Sequence, residues 1–456
     1  MSKKSPLKEI SREEAAAEVL SIWEETHLSL RTAMEQLAEE WGIIDWPIRT
    51  AIHGLVFETV RRLNTIDYVL NLVLEKTRVS DLDSLLRNTL RVASYLILFR
   101  KVVPALATNE AVSIIKRRRN KRLAGLANAV LRTIQEYELE EILQGVNESI
   151  KNELLYSVPQ WFYDYTERLF GTEEARAFFS ASLDNPSVYI RINTLSTNAK
   201  AALSHLERDE FQCLRVPPLL EVYKLQHGTR PVTQTTPYVE NAIYIQSLAS
   251  ALVSHVANPR SDSIIIDLCA APGSKTSHLA QLMKNRGHIL AFDNLVSRTQ
   301  ELCRNLTRLG VRNTHVLLAN STSLPLRKGF RADRVLVDPP CSNTGVIQTR
   351  PEAKWIITED LVQRLQKIQF GLLQEGSRFV ADNGFLIYST CSITLTENEQ
   401  LVLKFLENQP KFILVQAEPL VGKEAFIGMT QCQRLFPQHD DTEGFFIAKF
   451  QRNPGS

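Results

Sequence analysis

Between Leu63 and Leu74 the apolar residues Leu63, Ile66, Val69, Leu70, Val73 and Leu74 recur at intervals of three and four, which gathers them on one face of a helix. The stretches SLLRNTLRVASYLIL and NEAVSIIK repeat that spacing, with few glycines and no strand-like alternation around them. Residues 1–146 are therefore expected to form an all-α bundle in which each helix hides one apolar stripe. The helical pattern continues past Asn147, with Trp161, Phe162, Tyr163 and Tyr165, and makes residues 147–185 a helical connector. The pattern then changes: SVYIRINTL, LEVYKLQ and AIYIQS read as strands around the helix NAKAALSHLERD, a small α+β segment over residues 186–247. Beyond Asp262, short runs rich in Ile, Val and Leu (SIIIDLCA, HILAFDN, THVLLAN, DRVLVDPP, GFLIYSTCS) alternate with helical stretches. That alternation predicts a mostly parallel sheet covered on both faces, a Rossmann-like α/β domain over residues 248–452, with GFFIAKF as a further strand. No internal repeat or low-complexity tract interrupts this multidomain plan.

Composition narrows the classes. The 456 residues are 44% hydrophobic and 23% charged, ordinary values for a globular chain of two or three domains. No apolar run is long enough for a membrane span, and the opening MSKKSPLKEISREEAAAEVL lacks the apolar core of a signal peptide. A cytoplasmic monomer with no membrane partner is the expectation. The six cysteines (Cys213, Cys269, Cys303, Cys341, Cys391, Cys432) are scattered, without metal-ligand spacing, so no metal is expected. In a reducing compartment disulfides are not expected either.

The net charge of +2 conceals a local excess. Eleven Lys or Arg residues face one acid, Glu110, between Arg87 and Arg132, and they are densest in KRRRNKR, Lys116 to Arg122. Lys116, Arg117, Arg118, Arg119, Lys121 and Arg122 are candidate contacts to RNA phosphates. A solvated helix end accounts for the same block on charge alone.

The stretch IIIDLCAAPGSKTSHLA, Ile264 to Ala280, passes from a strand through small residues into a helix. Such a turn, with Ala270, Ala271 and Gly273, lets backbone approach a ligand and opens free N–H groups to it. Asp293 ends the second strand twenty residues after Gly273, where an acid accepts hydrogen bonds from ribose hydroxyls. The turn is not G-x-G-x-x-G, so a single nucleoside fits better than a dinucleotide, S-adenosylmethionine among the options.

Two later strands end in cysteines: VLVDPPCSNTG carries Asp338 and Cys341, and FLIYSTCSI carries Thr390 and Cys391. In a doubly wound sheet both strands terminate at the cofactor crevice. Two thiols beside a nucleoside cofactor suit methylation of cytosine C5. A thiolate that adds to C6 turns the ring into an enamine-like nucleophile, and a second thiol or a base then assists loss of the C5 proton and release. Asp338 is placed to bond the cytosine edge or the cofactor.

These segments resemble the Sun/Fmu family of RNA (cytosine-5) methyltransferases. DLCAAPGSKT is similar to its cofactor loop, with Ser274 where Gly is usual; DPPCSNTG is similar to its Pro-Cys motif and STCSITLTENE to its Thr-Cys motif. The resemblance implies Cys391 as nucleophile and Cys341 as the thiol of release. It also implies S-adenosylmethionine contacts at Cys269, Ala270, Ala271, Pro272, Gly273, Ser274, Lys275, Asp293 and Asp338. RPEAKW, Arg350 to Trp355, and TEGFF, with Glu443 where Asp is commoner, match further family motifs, and Arg350 and Lys354 join the expected RNA contacts. Where the family usually has an acid after the third strand, this chain has Asn320, whose amide oxygen still accepts from an amine. TNEAVSIIK and LAGLANAVLRTI resemble the NusB-type RNA-binding domain, and the segment from YIRINTL to YIQSLAS resembles the family's small ferredoxin-like subdomain. A NusB-like domain on this catalytic domain looks like the bacterial enzymes that make 5-methylcytosine in small-subunit (16S) ribosomal RNA. Transfer RNA as substrate and a non-catalytic RNA-binding factor are the alternatives. Cys269, in the cofactor loop, is expected to pack under the methionine part of the cofactor rather than to react.

Overall fold

The computed structural model describes residues 10–43 and 46–454 and divides into two compact units, residues 1–183 with 350–356, and residues 184–349 with 357–456. Residues 1–9, half of the opening stretch read above for a signal peptide, lie outside the described residues. No described helix is long and apolar enough to cross a membrane.

The first unit is helical, as the three-and-four spacing predicts. Its helices include Arg12–Thr26, Leu63–Val73, Ser84–Leu98, Pro104–Arg118 and Lys121–Ile134, followed by Gln160–Phe170 and Thr172–Leu183 in the connector. Short polar residues start several of them. Ser11, Asp83 and Asn120 accept from the backbone N–H three residues on, at 3.2, 3.2 and 2.9 Å, which satisfies donors that the first turn leaves free. Ile66, Val69 and Leu70 of the expected stripe are fully buried, in one core with Leu86, Leu90, Ile114, Ile115 and Leu131.

The second unit holds two sheets. The small one contains β1 (Val188–Ile192), β2 (Gln212–Val216), β3 (Leu219–Gln226) and β4 (Ile243–Ile245), in the order β2-β3-β1-β4 and antiparallel throughout. The hairpin strand β2 was not visible as a pattern in QCLRV, because its positions are half-exposed and do not alternate.

The large sheet begins with β5 (Ile264–Asp267), β6 (His288–Asp293), β7 (Thr314–Leu318), β8 (Ala332–Val337) and β9 (Val380–Thr390), which pair in parallel in the order β9-β8-β5-β6-β7. It continues antiparallel from β9 into β13 (Phe445–Arg452), which also pairs with β10 (Phe412–Val415) and β12 (Gln433–Leu435); the two-residue β11 (Lys423–Glu424) closes the edge. Ile265, Ile266, Val335, Val337, Leu386 and Ile387 are fully buried, as strands covered on both faces require. The chain leaves β5 outward through β6 and β7, then returns to β8 on the other side. That reversal opens a crevice at the carboxyl ends of β5 and β8.

Candidate active site

β5 delivers Asp267 into the turn Leu268–Gly273, and the helix Ser274–Leu282 follows. Gly273 has φ +101°, a backbone conformation that glycine alone adopts without strain, and a Cβ there would push on Leu302 Cδ1 2.7 Å away. Arg298 donates to the Ala271 carbonyl at 2.7 Å and Ala270 N–H donates to Phe292 O at 2.9 Å, which fixes the turn against β6. Asp293, at the end of β6, accepts from Ala271 N–H and Leu295 N–H at 3.3 Å each. A cleft between these elements is lined by Cys269, Asp293, Arg298, Asn320, Pro340 and Ile368 among others, so the sequence-predicted cofactor residues Cys269, Asp293 and Asn320 share one wall. Asn320 Oδ1 accepts from Thr322 N–H at 3.0 Å and its hydroxyl at 2.8 Å. Burial raises the Cys269 thiol far above its usual range.

Asp267 was not singled out in the sequence. Its side chain is buried; Oδ2 accepts from the Thr276 hydroxyl at 2.7 Å, while Oδ1 has no hydrogen-bond partner. Burial pushes its carboxyl up to about 7 against the Thr276 hydrogen bond, with Asp338 adding to the rise. A buried carboxylate oxygen left open beside the turn fits a ligand that brings a cationic donor, and the ammonium of S-adenosylmethionine is such a group.

β8 and β9 run in register, Val337 against Tyr388, so the residues that follow emerge side by side. Asp338 Oδ1 accepts from the Ser389 hydroxyl at 2.6 Å, and Oδ2 pairs with Lys275 Nζ at 2.5 Å. Lys275 comes from the cofactor turn's own helix. Burial alone would lower its ammonium, but the Asp338 carboxylate outweighs it and holds the charge above the usual lysine range. Beyond Asp338, Cys341 Sγ lies 2.7 Å from Cys391 Sγ, and Cys391 also points at Asn343 Oδ1, 3.2 Å away. Both are free thiols. The contact with Cys391, and then burial, raises Cys341 well above the usual thiol range, so Cys341 is held as a protonated thiol. Gly345, in the same loop, approaches Gly444 so closely that a Cβ would meet its carbonyl oxygen at 1.9 Å.

The helix after the turn is also held from below. Arg191 of β1 donates to Ser277 Oγ at 2.9 Å and to the Ser274 carbonyl at 3.2 Å. Glu221 Oε1 of β3 bonds His255 Nε2 at 2.7 Å and His278 Nε2 at 2.6 Å. This trio has metal-ligand proximity. The buried His278 Nδ1 has no partner to orient it, however, and the Arg191 guanidinium adds repulsion, so the trio is accounted for as a hydrogen-bonded clasp.

The expected RNA contacts divide. Arg117 and Arg118 pair with Glu14, Arg118 also with Glu18, and Arg119 with Asp83 at 2.9 Å; Lys116, Lys121 and Arg122 are exposed. Earlier in the same basic region, Arg87 and Arg91 are taken by Glu24 and Asp67. Arg350 is exposed, but the expectation for Lys354 needs correcting. The segment Arg350–Ile356 packs within the helical unit, where Lys354 is 2% exposed and donates to the Arg61 carbonyl at 2.7 Å. Burial, with Arg61 and Arg62 nearby, pushes its ammonium well below the usual lysine range, and a side chain so enclosed does not reach a phosphate.

Three family profiles match in sequence: the NusB family over residues 10–136, the RsmF/B-like ferredoxin-like domain over 158–232, and 16S rRNA methyltransferase RsmB/F over 254–451. A probable ribosomal RNA small subunit methyltransferase B from Bacillus subtilis (strain 168) is 28% identical over 89% of this chain and 90% of its own length. A tRNA (cytosine(72)-C(5))-methyltransferase from Pyrococcus horikoshii is 33% identical over 48% of this chain and 55% of its own. The crystal structure of a methyltransferase homolog protein from Pyrococcus horikoshii is 31% identical, with a TM-score of 0.61 over 67% of this chain and 99% of that one.

Proposed function

The chain belongs to the RsmB/F methyltransferase family, and from that premise we propose that it methylates C5 of cytosine in small-subunit ribosomal RNA through a covalent adduct. The observation that carries the mechanism is the contact between Cys341 and Cys391 at adjacent strand ends, beside the cofactor turn. S-adenosylmethionine, when bound, supplies the electrophilic methyl group. Cys269 to Lys275, Asp293, Asn320 and the open oxygen of Asp267 are the residues that would hold it.

Cys391 is the nucleophile that adds to C6, which makes C5 electron-rich. Asp338, steadied by Lys275 and Ser389, positions the base at one edge of the crevice. Elimination completes the cycle. The C5 proton leaves to water, its bonding electrons form the C5=C6 double bond, and the C6–S bond breaks to free Cys391 as a thiolate. The Cys341 thiol touching it stabilises that thiolate by donating a hydrogen bond. Cys391→Ala should abolish methyl transfer, by about 10⁴-fold or more. Cys341→Ala should leave an RNA–protein adduct visible on a denaturing gel. Full activity of the Cys391 variant would sink the mechanism.

Ribosomal RNA is favoured over transfer RNA because the relative named for the ribosomal small subunit matches through the helical unit, whereas the transfer-RNA relative covers about half of the chain. Bisulfite sequencing of total RNA from a deletion strain decides between them: a 5-methylcytosine missing from small-subunit RNA supports the reading, and one missing from transfer RNA replaces it. In this reading the enzyme works in the cytoplasm as a monomer, which light scattering at one chain's 51.7 kDa checks.

A further inference from the structure

Glu397 is fully buried. Five neutral donors converge on its carboxylate. Oε1 accepts from Ser342 N–H at 2.9 Å and from Gln369 Nε2 at 2.8 Å. Oε2 accepts from the hydroxyls of Ser342, Ser392 and Thr394 at 2.5, 2.6 and 2.9 Å. A buried carboxylate is tolerated only when hydrogen bonds replace its water, and here they do.

The identity of the donors is what matters. Ser342 follows Cys341 directly, and Ser392 follows Cys391 directly, so one carboxylate grips the residue next to each thiol. Gln369 binds both Glu397 and the Pro340 carbonyl at 3.0 Å, so Cys341 is bracketed on both sides. Gly345 N–H donates to the Cys391 carbonyl at 2.9 Å, tying the two loops again, and Tyr388 of β9 donates to the Glu397 carbonyl at 2.6 Å, which holds Glu397 to its own strand.

We propose that Glu397 is a positioning residue, whose carboxylate joins the loop after Cys341 to the loop after Cys391 and so sets the separation of the two thiols. The proposal rests on the reading that both thiols act in one cycle. The step that needs their separation fixed is release, when Cys341 must reach the sulfur that is leaving C6.

The test measures thiol placement independently of catalysis. Diamide oxidises a pair of nearby thiols to a disulfide: each sulfur loses a proton and an electron, and the reagent takes both up as its hydrazine. Closure of Cys341 to Cys391 is followed by peptide mapping in wild type, in Glu397→Gln and in the milder Ser392→Ala. The latter removes one hydroxyl donor and guards against a variant that fails to fold. Both variants should close about tenfold more slowly, since small displacements near reacting atoms cost one to two orders of magnitude. Affinity for S-adenosylmethionine by calorimetry should stay within about threefold, and Glu397→Gln should gather the RNA adduct that Cys341→Ala gathers. Closure at the wild-type rate in both variants overturns the proposal, as does slowing that appears only with lost cofactor affinity. Slow closure with no adduct in Cys341→Ala upholds the positioning role and overturns the assigned roles of the thiols.

Discussion

The basic block Lys116–Arg122 and the crevice at the ends of β5, β8 and β9 both concentrate chemically active side chains, and the two are built on opposite terms. In the block, Arg117, Arg118 and Arg119 meet Glu14, Glu18 and Asp83 from distant parts of the chain while remaining open to water. The pairs with Glu18 and Asp83 are open to water and contribute about 0–1 kcal/mol each, whereas Glu14 is buried and depends on Arg117 and Arg118 for its counter-charge. In the crevice, Lys275, Cys341 and Asp267 are withdrawn from water, and burial together with their neighbours Asp338 and Cys391 shifts their acidity. The exposed Lys116, Lys121 and Arg122 can meet a phosphate at little cost, whereas a buried cluster keeps its geometry and its altered acidity. The first arrangement suits adaptable contact with a polyanion, the second suits chemistry.

Asp338→Asn strikes this contrast hardest. The variant keeps a partner for Ser389 but leaves the Lys275 ammonium without its counter-charge, and methyl transfer in single turnover should fall about 100-fold. A loss below threefold would mean that the buried pair is scaffolding. The block should respond more gently, and unevenly. Neutralising the exposed Lys116, Lys121 and Arg122 together should weaken RNA binding about tenfold at low salt and flatten the salt slope by about two units. Neutralising Arg117, Arg118 and Arg119 should instead lower the melting temperature by a few degrees, and equal effects of the two triples on RNA binding would erase the distinction.

Acidity supplies a third check. With its carboxyl held up at about 7, Asp267 is mostly protonated at pH 6 and must lose that proton to receive an ammonium. Cofactor affinity should therefore rise with pH, by about eightfold between pH 6 and 7.5, and the Asp267→Asn variant should lack that rise. The smallest effect belongs to Cys269→Ala, which should change turnover less than about threefold. Complete inactivation with normal cofactor affinity would transfer the nucleophile's role to the wrong end of the crevice.

Much of the site was legible as sequence because strand-end residues follow the sheet's topology. Once β8 is placed beside β5, and β9 beside β8, the residues after them must share one crevice, and Asp338, Cys341 and Cys391 do. Glu397 was quoted within STCSITLTENE without being recognised, since an acid with no cation near it in sequence looks like any solvated residue. Its meaning lies in Ser342 and Gln369, 55 and 28 positions away. Lys354 misled for the same reason. A lysine in a polar stretch reads as exposed, and nothing local announces that Arg350–Ile356 packs against Val60 and Arg61 of the helical unit.

By itself the order of residues determined the alternation of strand and helix, the small-residue turn through Ala270, Ala271 and Gly273, and the two cysteines that end neighbouring strands. Those are consequences of local periodicity, backbone sterics and the connection rules of parallel sheets. Only the tertiary structure decided which charges are spent on partners, which carboxylate oxygen of Asp267 stays open, and that one buried carboxylate grips both cysteine loops. Hydrogen bonds and desolvation act between groups far apart in the chain, and they take their values only when the fold has brought those groups together.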